Sequence, residues 1–116
     1  MSLVESLVEG VAVVAVKSAR VDASGAAAFR TALSAIVAKH TGPLVLDLSD
    51  VAFVDSSGLG AVVSAVKGAG RRGGIVIAGA RANVGTLFRL TRMDKVFAMY
   101  PDLTAAVVAL NTTTVA

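Results

Sequence analysis

Val51-Ala52-Phe53-Val54-Asp55-Ser56-Ser57-Gly58-Leu59-Gly60 is the stretch on which the reading of this chain turns. Four apolar, strand-like residues lead in, and Leu59, Val62, Val63 and Val66 lead out at helical spacing. Two small hydroxyl residues therefore stand where a strand hands over to a helix. There the first backbone N–H groups of the helix lack intrahelical partners, and the macrodipole favours negative charge. A serine in that place has two uses. It can cap the helix, a contribution of about 1 kcal/mol relative to alanine. It can also carry a phosphate beside the positive helix end and act as a switch. Glycines early in a helix cost roughly 0.5–1 kcal/mol each. Gly58 and Gly60 remove bulk beside the serines, which leaves a hydroxyl approachable by another protein.

Outward from this stretch, strands and helices alternate. Towards the N-terminus, residues 3–8 read as a strand and Gly10 as a turn. Residues 11–16 form a continuous apolar run that reads as a well-buried strand. Residues 20–24 are a short connection, with Asp22 or Ser24 placed to cap the helix that follows. That helix, over 25–39, buries Phe29, Leu33, Ile36 and Val37 and stops at His40-Thr41-Gly42-Pro43. Residues 44–48 are the central strand by pattern.

Beyond the serine pair, a helix over 57–69 ends in Gly70-Arg71-Arg72-Gly73-Gly74. A strand over 75–78 and a helix over 83–90 follow, the latter with Val84, Leu87 and Phe88 inward. Residues 95–99 read as an edge strand. Pro101-Asp102 then opens a helix with Leu103, Ala106, Val107 and Leu110 inside, and residues 110–116 read as a fraying tail. The order β-β-α-β-α-β-α-β-α predicts an α/β domain over 1–116, a small mixed sheet of about five strands with about four packed helices. The strands joined through helices run parallel, and the first two form one antiparallel hairpin at the edge.

Composition narrows the function. The 116 residues are 55% apolar and 16% charged, which excludes disorder for most of the chain. With no cysteine there is no disulfide scaffold, thiol nucleophile or thiolate metal site. Glu5 and Glu9 interrupt any signal-peptide core, and the apolar runs fall far short of the roughly 20 residues that span a bilayer. The expectation is a cytoplasmic protein without membrane contact. The net charge of +3 gathers partly at Arg71, Arg72, Arg81, Arg89, Arg92 and Lys95. No nucleic-acid motif accompanies these cations, so they read as a solvated face suited to an acidic partner.

Catalytic and cofactor chemistry finds little support. Residues 74–81 show the glycine spacing of a phosphate loop but lack its Lys and Ser/Thr, and Gly58-Leu59-Gly60 lacks the third glycine of a dinucleotide fingerprint. His40, the single histidine, sits among helix-stop residues rather than beside a nucleophile. No metal-ligand spacing occurs. The chain reads as no enzyme, with no cofactor and no metal.

Val-Asp-Ala-Ser (21–24), Leu-Val-Leu-Asp-Leu-Ser (44–49) and Val-Asp-Ser-Ser-Gly-Leu-Gly (54–60) resemble the STAS-domain anti-sigma factor antagonists. So do Gly-Gly-Ile-Val-Ile-Ala-Gly (73–79), Leu-Thr-Arg-Met-Asp (90–94) and Val-Phe-Ala-Met-Tyr-Pro (96–101). The resemblance spans about residues 5 to 110, in family order. It implies a mixed sheet with helices beside it and a partner-switching role. In that role the unphosphorylated protein binds an anti-sigma factor that is also a serine kinase, and a sigma factor is released. Phosphorylation ends the complex, and a PP2C-type phosphatase restores it.

By motif match Ser57 is the phosphorylated residue. Asp22, Asp55, Ser56, Ser57, Gly58, Leu59 and Gly60 form the partner-binding set. Arg92 departs from the pattern, since many relatives carry glycine there. A monomer without direct nucleic-acid contact is expected. The alternative is a non-catalytic STAS scaffold, an accessory subunit of a signalling complex or transporter. Such modules often lack the double-serine hexapeptide.

Overall fold

In the computed structural model, which describes residues 2–68 and 74–113, the apolar runs become the middle of one sheet. Strands β1 (Ser2–Val8), β2 (Val11–Lys17), β4 (Leu44–Asp47), β6 (Ile75–Ala78) and β7 (Ala98–Tyr100) lie in the order β1-β2-β4-β6-β7. β4 is central, as its uninterrupted apolar pattern predicts. β1 and β2 pair antiparallel, and the other three pairings are parallel. The hairpin register Val8↔Val11 leaves Glu9 and Gly10 as a two-residue loop. Both have positive φ, 50° and 80°, the signature of a tight turn that matches strand twist.

Helices α1 (Ala26–Lys39), α2 (Ser56–Gly68) and α3 (Ala82–Leu90) cover one face of the sheet, and α4 (Leu103–Thr113) covers the other. Period-two alternation divides the strand residues between two cores. Val14, Leu44, Leu46 and Ile77 pack with Phe29, Leu33, Val62, Val84 and Phe88. Val11, Val13, Val45 and Val76 pack with Ala106 and Val107. The five-stranded mixed sheet with four helices is thus the predicted fold.

Several expectations are corrected. The connection at 20–24 contains β3 (Arg20–Val21), which pairs in parallel with β5 (Phe53–Val54) as a separate two-stranded ribbon. This ribbon sets the position of the serine pair. The last strand starts at Ala98 rather than 95, because Met93–Lys95 forms a 3₁₀ turn. α4 continues to Thr113, beyond the expected start of the tail at 110, while Leu110 packs inward as its spacing predicts, and residues 114–116 lie outside the described residues. Asp22 and Ser24 do not cap α1. Gly25 occupies the cap position without a side-chain bond. The expected helix end at Ala69, and Arg71 and Arg72, lie outside the described residues.

Candidate functional site

α2 begins at Ser56 because Asp55 sits in the cap position. Its backbone carbonyl accepts the first helical bond from the Leu59 N–H at 3.0 Å, and its Oδ1 accepts from the Gly58 N–H at 2.8 Å. Asp55 Oδ2 accepts a second bond, from the Ala23 N–H at 3.1 Å. One carboxylate thus caps α2 and ties the β3–α1 loop to it. The serines were expected to serve as a cap or as a switch, and the capping role belongs to Asp55. Ser56 and Ser57 are exposed in the first turn, and no hydrogen bond to a described residue engages either hydroxyl.

The two serines line neighbouring grooves. Ser57 lines a shallow groove of about 300 Å³ between α1 and α2, together with Ala26, Ala27, Arg30, Gly60 and Ser64. Ser56 lines a second, mostly apolar groove along α2, with Leu59, Val63, Lys67, Thr91 and Met93, and Gly60 and Ser64 border both grooves. Neighbours one residue apart on a helix do not face the same way. The motif alone does not show which serine meets which surface.

Gly58 serves a purpose other than access to the hydroxyl. It is buried, and a Cβ on it would collide with the Val21 carbonyl oxygen and approach the Val21 carbonyl carbon to 2.8 Å. It lets α2 press against β3. Gly60 is different, since a Cβ there would meet nothing within 4 Å. Leu59 is 5% exposed and belongs to the core more than to the surface. Of the expected partner-binding set, Ser56, Ser57 and Gly60 are therefore the exposed members. Asp22 and Asp55 are half-buried, and Gly58 and Leu59 point inward.

Asp22 lies in the loop that Ala23 ties to Asp55. Its Oδ1 accepts from the Ser24 hydroxyl at 2.7 Å and the Ser24 N–H at 3.2 Å, and its Oδ2 pairs with Arg20 Nε at 3.0 Å. The Ser24 hydroxyl first, and Arg20 second, hold the Asp22 carboxyl below its ordinary value. Arg20 also stacks over the Phe53 ring at 4.4 Å, which joins β3 and β5 from the outside.

His40 ends α1 and lies 3.5 Å from Glu5, lining a cavity with Pro43 and Leu110 rather than the Ser57 groove. Arg81 Nε donates to the Ser49 carbonyl at 3.1 Å and Asn83 Nδ2 to the Ala52 carbonyl at 2.7 Å, fastening the start of α3 to the β4–β5 loop. No cluster of three metal-ligating side chains occurs among the described residues. No described helix is long and apolar enough to cross a membrane.

Sequence reasoning missed Arg30 and Ser64. The spacing Ser57, Gly60, Ser64 marks a single helix face and was open to detection. Arg30 was not, because its place depends on how α1 docks beside α2.

Comparison with known proteins agrees with this architecture. A family model described as "Mlab, STAS domain" matches residues 6–104. No curated protein sequence matches the chain. Among solved structures, an anti-sigma factor antagonist from Mycobacterium paratuberculosis is 32% identical over 95% of this chain and 93% of its own, with a TM-score of 0.77. An anti-sigma-factor antagonist (STAS) domain protein from Planctomyces limnophilus has a TM-score of 0.80 at 16% identity, covering 94% of this chain and 97% of its own. The anti-sigma factor antagonist SpoIIAA of Bacillus, in its unphosphorylated form, has a TM-score of 0.71 at 15% identity, covering 96% and 97%. The last two similarities speak to the fold alone. With the family model spanning most of its length and a 32% identical relative aligned nearly end to end, the chain belongs to the STAS-domain family of anti-sigma factor antagonists.

Proposed function

We propose that this protein is a phosphorylation-controlled antagonist in a partner switch. Unphosphorylated, it binds an anti-sigma factor with serine kinase activity and so releases a sigma factor. The kinase transfers the γ-phosphoryl group of ATP to Ser57. The Ser57 Oγ–P bond forms, the bond to ADP breaks, and the hydroxyl proton passes to a base on the kinase. A PP2C-type phosphatase hydrolyses the phosphoserine and restores the binding form. The protein supplies a surface and an acceptor hydroxyl, and no catalytic group of its own takes part.

One observation carries this reading: Ser57 stands exposed in the first turn of a helix that Asp55 already caps. Its hydroxyl is not needed to start the helix. A phosphate there gains from the unsatisfied N–H groups and the positive dipole end, so the fold tolerates it. At a docked interface the added charge, about −1.5 to −2, would have to be desolvated. Phosphorylation therefore changes binding more than folding.

Ser57→Asp should weaken capture of the kinase partner from native extract by about 1 kcal/mol or more, severalfold in Kd, with little change in melting temperature. Ser57→Ala should still bind and should lose phosphorylation. Equal capture by all three forms, or mass spectrometry placing the phosphoryl group elsewhere, overturns the switch and leaves an accessory STAS subunit as the reading.

A further inference from the structure

The groove beside Ser57 contains a cation that the partner-switch motif does not include. Ala26, Ala27 and Arg30 recur on one face of α1, and Ser57, Gly60 and Ser64 on the facing side of α2. Alanine and glycine walls keep the groove open, and Arg30 is its one charged lining residue. The nearby carboxylates are already engaged. Both oxygens of Asp55 accept backbone N–H bonds. Asp22 is paired with Arg20 and Ser24. Arg30 makes no ion pair with any described residue. An exposed arginine side chain and an exposed hydroxyl thus line the same groove.

We infer that Arg30 is the intramolecular receptor for the phosphate of phosphoserine 57, an inference that rests on the reading of Ser57 as the phosphoacceptor. A guanidinium presents paired N–H donors that match phosphate oxygens, and such charge-assisted bonds are stronger than neutral ones. The phosphate, received from one side by the α2 N-terminus and from the other by Arg30, bridges α1 and α2. Phosphorylation then does two things to the docking face. It adds negative charge, and it closes the groove by drawing the Arg30 side chain across it. The groove beside Ser56 has its own cation, Lys67, but Lys67 stands eleven residues further along α2, about 16 Å by helical rise. Arg30 lines the groove of the second serine and not that of the first.

The test uses the full chain with phosphoserine installed at position 57 during synthesis, so it does not depend on any kinase. The second ionisation of the phosphate is followed by ³¹P NMR titration in the wild type, Arg30→Gln and Arg30→Lys. A neighbouring cation favours the doubly charged form, so the wild-type midpoint should lie lower than that of Arg30→Gln by about 0.5 pH unit or more. Arg30→Lys should recover part of the difference, and raised salt should shrink it. Phosphorylation should also raise the melting temperature of the wild type more than that of Arg30→Gln. A merely structural role for Arg30 would lower stability in both phosphorylation states without moving the midpoint. Superimposable titrations overturn the inference even where the kinase does modify Ser57. If the kinase modifies another residue instead, the proposed function fails while the titration result stands by itself.

Discussion

Two glycines two residues apart, Gly58 and Gly60, have opposite physical roles. Gly58 allows backbone-to-backbone contact between α2 and β3. Gly58→Ala should destabilise the fold by about 1–3 kcal/mol, the usual range for overpacking. Gly60 is exposed within the helix and has open space around it. Gly60→Ala should stabilise by about 0.5–1 kcal/mol, and urea denaturation of the pair separates the two roles. Arg92 is a third special position. It holds φ 61° and ψ 20°, the left-handed region, between α3 and the 3₁₀ turn. That conformation explains the glycine expected there from the family pattern, and Arg92→Gly should relieve roughly 0.5–1 kcal/mol of strain, read as a raised melting temperature. The departure from glycine was visible in the sequence. Its cost was not, because the sign of φ is a property of the folded turn.

At the scale of elements, the structure depends on short links that join parts distant in the chain. Glu5 on β1 accepts from Lys39 Nζ at 3.0 Å and lies 3.5 Å from His40 Nε2, fastening the edge hairpin to the end of α1. The Lys39 hydrogen bond is the largest cause holding the Glu5 carboxyl below its ordinary value. In the unfolded chain this carboxyl returns to its ordinary value. Its stabilising contribution is therefore fully present above the ordinary carboxylate range and is lost as pH falls through the lowered folded value. Urea midpoints measured from neutral to acid pH should fall less steeply for Glu5→Gln than for the wild type. Salt should reduce the difference, since the pair is exposed. The β3–β5 ribbon is another such link, two residues on each side with Arg20 over Phe53. β5 falls within the strand-like run read at 51–54, but β3 and the pairing escaped the sequence reading, because a two-residue strand carries no periodicity and only its partner defines it.

For the whole molecule, burial decides which substitutions matter. Leu46 in the central strand is 0% exposed, whereas Leu90 at the end of α3 is 79% exposed. Leu46→Ala should cost about 2–5 kcal/mol in chemical denaturation, and Leu90→Ala should stay within about 0.5 kcal/mol of the wild type. Element order, the central place of residues 44–47, the edge hairpin and the inward residues of the helices were legible in the sequence. Apolar periodicity is a local property, and it survives folding because each period matches one kind of backbone. The same holds for the strand-to-helix step at Asp55-Ser56-Ser57. What only the tertiary structure decided is the division of labour around that step. Asp55 caps and tethers, Gly58 yields to Val21, Ser56 and Ser57 line neighbouring grooves, and Arg30 comes to share the groove of Ser57. These relations depend on the docking of β3 and α1 against α2, elements that begin about thirty residues earlier in the chain. The sum of core packing sets that docking, and no short run of sequence contains it.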